Sequence, residues 1–309
     1  MMMYRFRAMN TNIETFYLGS KHCQQTEAWF HHVEKTLSRF LPESELSQLN
    51  RTENTPFLAS DVLYEAVTTA DRFYHETEGI FNPYLGREIC QLGYDQSFEK
   101  IAAGKATSYN RDQLSCTKEK PIEIDDKMRF ITIHGALIDL GGIGKGWTAQ
   151  QAANQLQKKK VAYGGIAAGG DIIVWGKPKE KWNITISTPE SWEKKLFSFK
   201  LDRPAGIATS STIRRSWKDH NGKTFHHILD PRTCQSANTD LVQASVIAPD
   251  LITAEVYAKC MIILGWEKGM EWIAGKRTDL GIIGVKTDHS IVTGGTIRCY
   301  SSEGLIYFE

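Results

Sequence analysis

The stretch IDLGGIGKGWTAQQAANQL, residues 138–156, constrains the chain more than any other. It sets four glycines and one lysine between an apolar run and an amphipathic helical pattern. Gly141, Gly142, Gly144 and Gly146 carry no side chains, so backbone N–H groups there can approach a ligand closely. The helix that follows offers its positive dipole end to the same place, and an anion is the natural guest of such a turn.

Two familiar readings of a glycine turn fail on spacing. A phosphate-binding loop of the G-x-x-x-x-G-K-[ST] kind needs Ser or Thr after its lysine, and here Gly146 follows Lys145. G-I-G-K-G is not the G-x-G-x-x-G of dinucleotide-binding folds either. A purely structural turn, with Asp139 and Lys145 as an ion pair, stands beside the anion-binding reading.

Around this turn, short strand-like pieces and helical patterns are mixed without regular alternation. IETFYLG reads as a strand, and QTEAWFHHVEKTLSRF places Trp29, Phe30, Val33, Leu37 and Phe40 at helical spacing. SDVLYEAVTTADRFYHETEG predicts a second helix, with Ser60 as N-cap and Gly79 as the stop. From residue 122 the pieces PIEI, RFITI, ALIDL, GGIAAGGDIIVWG, WNITIST, LFSFKL, GIATS and LVQASVIA read as strands. The helices TAEVYAKCMIILG and EKGMEWIAG follow, then SIVTGGT, which reads as a terminal hairpin with a Gly-Gly turn. This order favours an α+β fold over a doubly wound parallel sheet. No repeat or linker marks a boundary, so residues 1–309 read as a single domain.

Thirty-seven basic against 36 acidic residues give a net charge of +1, so no global field draws nucleic acid or anionic lipid. Any phosphate binding must be local. No apolar run approaches the length of a membrane span or a signal-peptide core, and a cytoplasmic location is the expectation. The six cysteines, Cys23, Cys90, Cys116, Cys234, Cys260 and Cys299, form no C-x-x-C pair and read as reduced thiols rather than a zinc site or a disulfide framework.

Three further segments carry chemistry. GGIAAGGDIIVWG, residues 164–176, sets a second glycine pair before Asp171. TSSTIRRSW, residues 209–217, offers Thr209, Ser210 and Ser211 with Arg214 and Arg215, groups suited to phosphate oxygens. HHILDPRT, residues 226–233, joins two histidines to an Asp-Pro turn and an arginine.

In this order the segments resemble the ApbE family of FAD:protein FMN transferases. The likeness starts at AMNT (8–11) and runs through SRF (38–40), SELSQLN (44–50) and FNPYLG (81–86). It continues through IDLGGIGKG, GGDI, ATSS and HHILDPRT to the helix TAEVYAKCMIILG. The resemblance implies interlocked α+β lobes with an FAD cleft between them. It implies transfer of FMN from FAD to a Thr or Ser hydroxyl of a partner flavoprotein, with release of AMP and magnesium assisting.

Position by position, Met9 and Tyr84 would lie against the flavin, and Lys145 with backbone amides near Gly144 would face the pyrophosphate. Asp139 and the Asp171 loop would shape the dinucleotide cleft. Thr209, Ser210 and Ser211 would touch FAD, and Arg214 would be a phosphate partner. His227 would take the proton of the acceptor hydroxyl, a task suited to imidazole near neutral pH, while His226 would serve packing.

Several positions depart from the family pattern. Ser211 and Cys234 stand where glycine is usual. The family binds its metal through an Asp, a Thr or Asp four residues later, and a carbonyl of the glycine turn. Here these positions fall on Glu255, Lys259 and Gly144. Glutamate keeps a ligating carboxylate, whereas an ammonium has no lone pair to give; Asp250 is a neighbour from which a metal site could be rebuilt. The alternative to an active transferase is therefore an FAD-binding member, non-catalytic or weakly FAD-hydrolysing, with Lys259 in place of the metal.

Overall fold

The computed structural model describes residues 3–98, 121–191, 193–218, 222 and 224–308. The chain divides into two compact units, one built from Met1–Phe30, Lys145–Arg214 and Asn238–Glu309, the other from His31–Gly144 and Arg215–Ala237.

The first unit is organised by an eight-stranded sheet whose strands lie in the order Met3–Ala8, Thr11–Phe16, Gly164–Ala168, Asp171–Trp175, Ala205–Ser211, Leu241–Ala248, Gly281–Lys286 and Ile291–Gly295. Every neighbouring pair is antiparallel. The helix Leu251–Leu264 packs on the strands Ala205–Ser211 and Leu241–Ala248. All of its residues except Lys259 and Leu264 are buried, as expected of a helix apolar on every face. Asp250 caps it: Oδ1 accepts the Thr253 N–H at 2.8 Å and Oδ2 the Thr253 hydroxyl at 2.7 Å. A three-stranded sheet of Trp182–Ser187, Lys195–Leu201 and Ile306–Tyr307 completes this unit, its apolar side formed by Ile184, Ile186, Phe197 and Phe199.

Two tight turns share one end of the large sheet. Met9 and Asn10 both have positive φ (52° and 56°) between the paired residues Ala8 and Thr11, the conformation a two-residue hairpin demands. Gly169 and Gly170, also at positive φ, turn the chain between Ala168 and Asp171. A Cβ on Gly169 would lie 2.6 Å from Thr11 Oγ1, so the glycine pair makes room for the neighbouring hairpin.

In the second unit the helix Asp61–Glu76 starts where its pattern predicts, with the Ser60 hydroxyl accepting the Leu63 N–H. The strands Phe57–Leu58, Phe130–Ile133 and Ile122–Asp125 form a small sheet. Behind the histidine pair, Trp217 stacks on Tyr94 at 5.6 Å and on Phe225 at 6.4 Å, and its indole N–H donates to the Leu92 carbonyl.

The architecture is α+β, and three expectations are corrected. ALIDL is not a strand: Ile138 donates its N–H to Asn50 Oδ1 and Asp139 to the Pro83 carbonyl, so the backbone is satisfied without a ladder. SIVTGGT does pair with Gly281–Lys286, but Gly294 and Gly295 lie in the strand opposite Ile282 and Gly281, and the turn is built on Thr287–Ser290. Cys234 is disulfide-bonded rather than reduced, whereas Cys23, Cys90, Cys260 and Cys299 are free thiols. Cys116 lies outside the described residues. No helix among the described residues is long and apolar enough to cross a membrane.

Candidate functional site

In the first unit a cluster of charged and hydroxyl side chains forms from two helices and three strands. The helix Gly144–Lys158 begins within the glycine turn, which puts Lys145 and Gly146 in its first turn. Lys145 Nζ donates to Glu255 Oε1 at 2.8 Å and lies 3.7 Å from Asp171 Oδ2. Both carboxylate side chains are only 7% exposed. The other Glu255 oxygen accepts the Gly146 N–H at 2.7 Å. A carboxylate thus sits on the N-terminal donors of the helix, the place that its dipole favours for an anion.

Glycine at 146 is required by this contact. A Cβ there would fall 2.6 Å from Glu255 Oε2 and 3.2 Å from the Leu251 carbonyl. Gln150, one turn on, accepts the Leu251 N–H at 2.8 Å and ties the two helices together.

Asp171 opens the strand after the Gly-Gly turn, and its Oδ1 accepts the Thr209 N–H at 2.9 Å. Thr209 lies opposite Ser245 in the ladder, and their hydroxyl oxygens are 2.8 Å apart. Strand alternation puts Thr209 and Ser211 on one face and Ser210 on the other, so the three adjacent hydroxyls do not act as one patch. Arg214 donates from Nε to the Pro189 carbonyl at 3.1 Å and from Nη2 to the carbonyls of Thr188 and Ser191. Its guanidinium is engaged in fastening the 188–191 loop. Met9 belongs to the hairpin turn beside Gly169 and is half-buried.

In the second unit, Asp139 pairs with Arg39 at 3.3 Å and accepts the Gly141 N–H at 2.6 Å, closing the start of the glycine turn. The expected Asp139–Lys145 pair is therefore replaced by Asp139–Arg39 and Lys145–Glu255. Arg39 also donates to the Tyr94 carbonyl at 2.7 Å and lies over the Phe40 and Tyr94 rings. Tyr84 is 2% exposed and donates its hydroxyl to Asp71 at 2.5 Å; burial and then that bond push its pKa far up.

The two histidines differ in kind. His226 is buried, with Nε2 2.8 Å from the Ala237 carbonyl and Nδ1 accepting the Ile228 N–H at 3.3 Å. A carbonyl only accepts, so Nε2 carries the proton and the ring is neutral. Burial holds its pKa below the ordinary histidine value. His227, next along the chain, is half-buried, with its ring 6.3 Å from that of Tyr94. Arg232 grips Asp230 with both ends of its guanidinium, at 2.8 and 2.7 Å. Burial works to raise the Asp230 pKa, but the Arg232 bonds outweigh it and leave it low.

The donors expected for a metal do not fit one. Both oxygens of Glu255 are engaged by Lys145 and Gly146, both oxygens of Asp250 cap a helix, and Lys259 brings no lone pair. Among the described residues no group of three or more His, Cys, Asp or Glu side chains is arranged to hold a metal ion.

Arg39, Asp71 and Ser245 were not singled out by spacing. Ser245 had a signal, a hydroxyl within the apolar run LVQASVIA, as did Glu255, the one carboxylate in TAEVYAKCMIILG. Arg39 lies in the SRF segment of the resemblance, but nothing there points to its partner Asp139, a hundred residues away.

Comparison with known proteins agrees with this arrangement of motifs. The ApbE family profile matches residues 9–284. A Haemophilus influenzae protein named FAD:protein FMN transferase is 26% identical over 281 residues, covering 87% of this chain and 80% of its own length. A Vibrio cholerae protein of the same name is 26% identical over 259 residues, covering 83% and 77%. The crystal structure of the ApbE protein from Thermotoga maritima superposes with a TM-score of 0.85 at 21% identity, covering 97% of this chain and 99% of that one. That last likeness is one of fold.

Proposed function

The chain belongs to the ApbE family, and on that premise we propose that it is an FAD:protein FMN transferase. It moves FMN from FAD to a Thr or Ser hydroxyl of an acceptor flavoprotein and releases AMP. The observation that carries this is the match of relatives bearing that name along most of the chain.

The reaction sets clear demands on side chains. The acceptor oxygen attacks the phosphorus on the flavin side of the pyrophosphate, the bond from that phosphorus to the bridging oxygen breaks, and AMP leaves with that oxygen. His227 takes the hydroxyl proton; imidazole is the side chain whose ordinary titration range suits this near neutrality. Lys145 meets the pyrophosphate and the charge that develops on the leaving AMP. Gly144 amide and the Asp171 turn shape the same region, with Thr209 held through Asp171. Met9 borders the flavin, and Tyr84, buried and with its hydroxyl committed to Asp71, supports the flavin site from the core. Asp139 acts by shaping the glycine turn.

Incubation of the protein with FAD and an acceptor domain bearing a candidate Ser or Thr tests the reading. Stoichiometric AMP and flavin fluorescence that stays with the acceptor under denaturing conditions are expected. FAD bound without AMP release, under every metal condition, would leave only the FAD-binding alternative.

A further inference from the structure

Resting on the FAD reading above, we propose that the cation that meets the pyrophosphate in this chain is Lys145 itself, locked in place by Glu255 and Asp171, and that no divalent ion is ligated at Glu255. The first support is the occupancy of the carboxylate. Glu255 has two oxygens; one takes the Lys145 ammonium at 2.8 Å and the other the Gly146 N–H at 2.7 Å. A magnesium ion demands near-octahedral oxygen ligation at about 2.1 Å, and on Oε1 it would sit beside the Lys145 ammonium, where two like charges on one oxygen repel.

The second support is charge. Asp171 and Glu255 are buried carboxylates, and a buried charge needs a partner. Lys145 contacts both, and Lys259 stands four residues after Glu255 on the same face of the helix Leu251–Leu264, in the order that favours a Glu–Lys pair. Lys145 thus supplies both carboxylates with a partner from the chain itself.

The third is the fit around the contact. Gly146 leaves no space for even a methyl group between the helix and Glu255. Asp171 is itself fixed by the Thr209 N–H. The ammonium is thus preorganised, as a bound metal would be, with no metal to recruit.

The experiment separates this inference from the function on which it rests. FAD is titrated calorimetrically into the protein in chelator and in excess magnesium, and Mn2+ is followed by its electron paramagnetic resonance signal with protein, with and without FAD. FAD affinity is expected to agree within about threefold between the two conditions, with no Mn2+ taken up beyond what FAD alone binds. In Lys145→Met the two carboxylates lose their ammonium, and Mn2+ uptake is expected to appear. One Mn2+ held by the unaltered protein, or FAD affinity falling about tenfold or more in chelator, overturns the inference and leaves the transferase reading intact. No uptake by a folded Lys145→Met overturns it too; if that variant does not fold, the unaltered protein decides alone. Failure of FAD to bind under both conditions overturns the functional reading instead.

Discussion

Glu255 accepts the N–H of Gly146 at 2.7 Å, so a carboxylate from one helix rests on the first turn of another. The glycine turn that looked like a cradle for a foreign anion already holds one of the chain's own. Gly146→Ala would press a methyl group to 2.6 Å from Glu255 Oε2. We expect a loss of about 1–3 kcal/mol in urea denaturation, with FAD affinity falling alongside. Unchanged stability would mean that the two helices can part without cost.

His226 and His227 should separate stability from chemistry. His226→Ala strands the Ala237 carbonyl and the Ile228 N–H, at a cost of about 1–3 kcal/mol. His226 thus has a structural role beyond filling space. His227→Ala should keep the unfolding midpoint and FAD affinity but slow transfer by about a hundredfold or more. A full-rate His227→Ala protein would contradict the role of proton acceptor.

A pH dependence follows from the same ring. His226 has a folded-state pKa below the unfolded value of 6.5, with burial as the cause. The unfolded chain then binds the extra proton, so this contribution to stability is complete above about pH 6.5 and is lost as pH falls toward the folded pKa. Denaturation of the unaltered protein and of His226→Gln between about pH 7 and pH 5 should show a shallower loss in the variant. Parallel curves would place the acid sensitivity elsewhere.

Arg214 should behave as a loop fastener. Its bonds run to the carbonyls of Thr188, Pro189 and Ser191. Arg214→Ala should therefore lower stability by about 1.5–3 kcal/mol, with FAD affinity changed by less than about threefold. A large loss of FAD affinity in a protein of normal stability would restore the phosphate role that its position beside ATSS suggests.

What could be read from the sequence was local. Helical spacing and the Ser60 cap located Asp61–Glu76, and the order of motifs located the family. The Gly-Gly turn before Asp171 was visible as a close approach, though the neighbour it makes room for, Thr11, was not. Ion-pair partners were not legible. Asp139 and Lys145 are six residues apart and looked like a pair, yet each finds its partner about a hundred residues away, Arg39 for one and Glu255 for the other. Tertiary packing chooses such partners. ALIDL looked like a strand because it is a short apolar run, but side-chain and loop acceptors took the hydrogen bonds that a ladder would have used.

The account turns on a pyrophosphate met by Lys145, and calorimetric titration of FAD and FMN into the unaltered protein and into Lys145→Met tests it most directly. FAD should bind at least about tenfold more tightly than FMN, which is about 1.4 kcal/mol, and the substitution should erase most of that difference. Equal affinities for FAD and FMN, or a preference for FAD that survives in Lys145→Met, would contradict it.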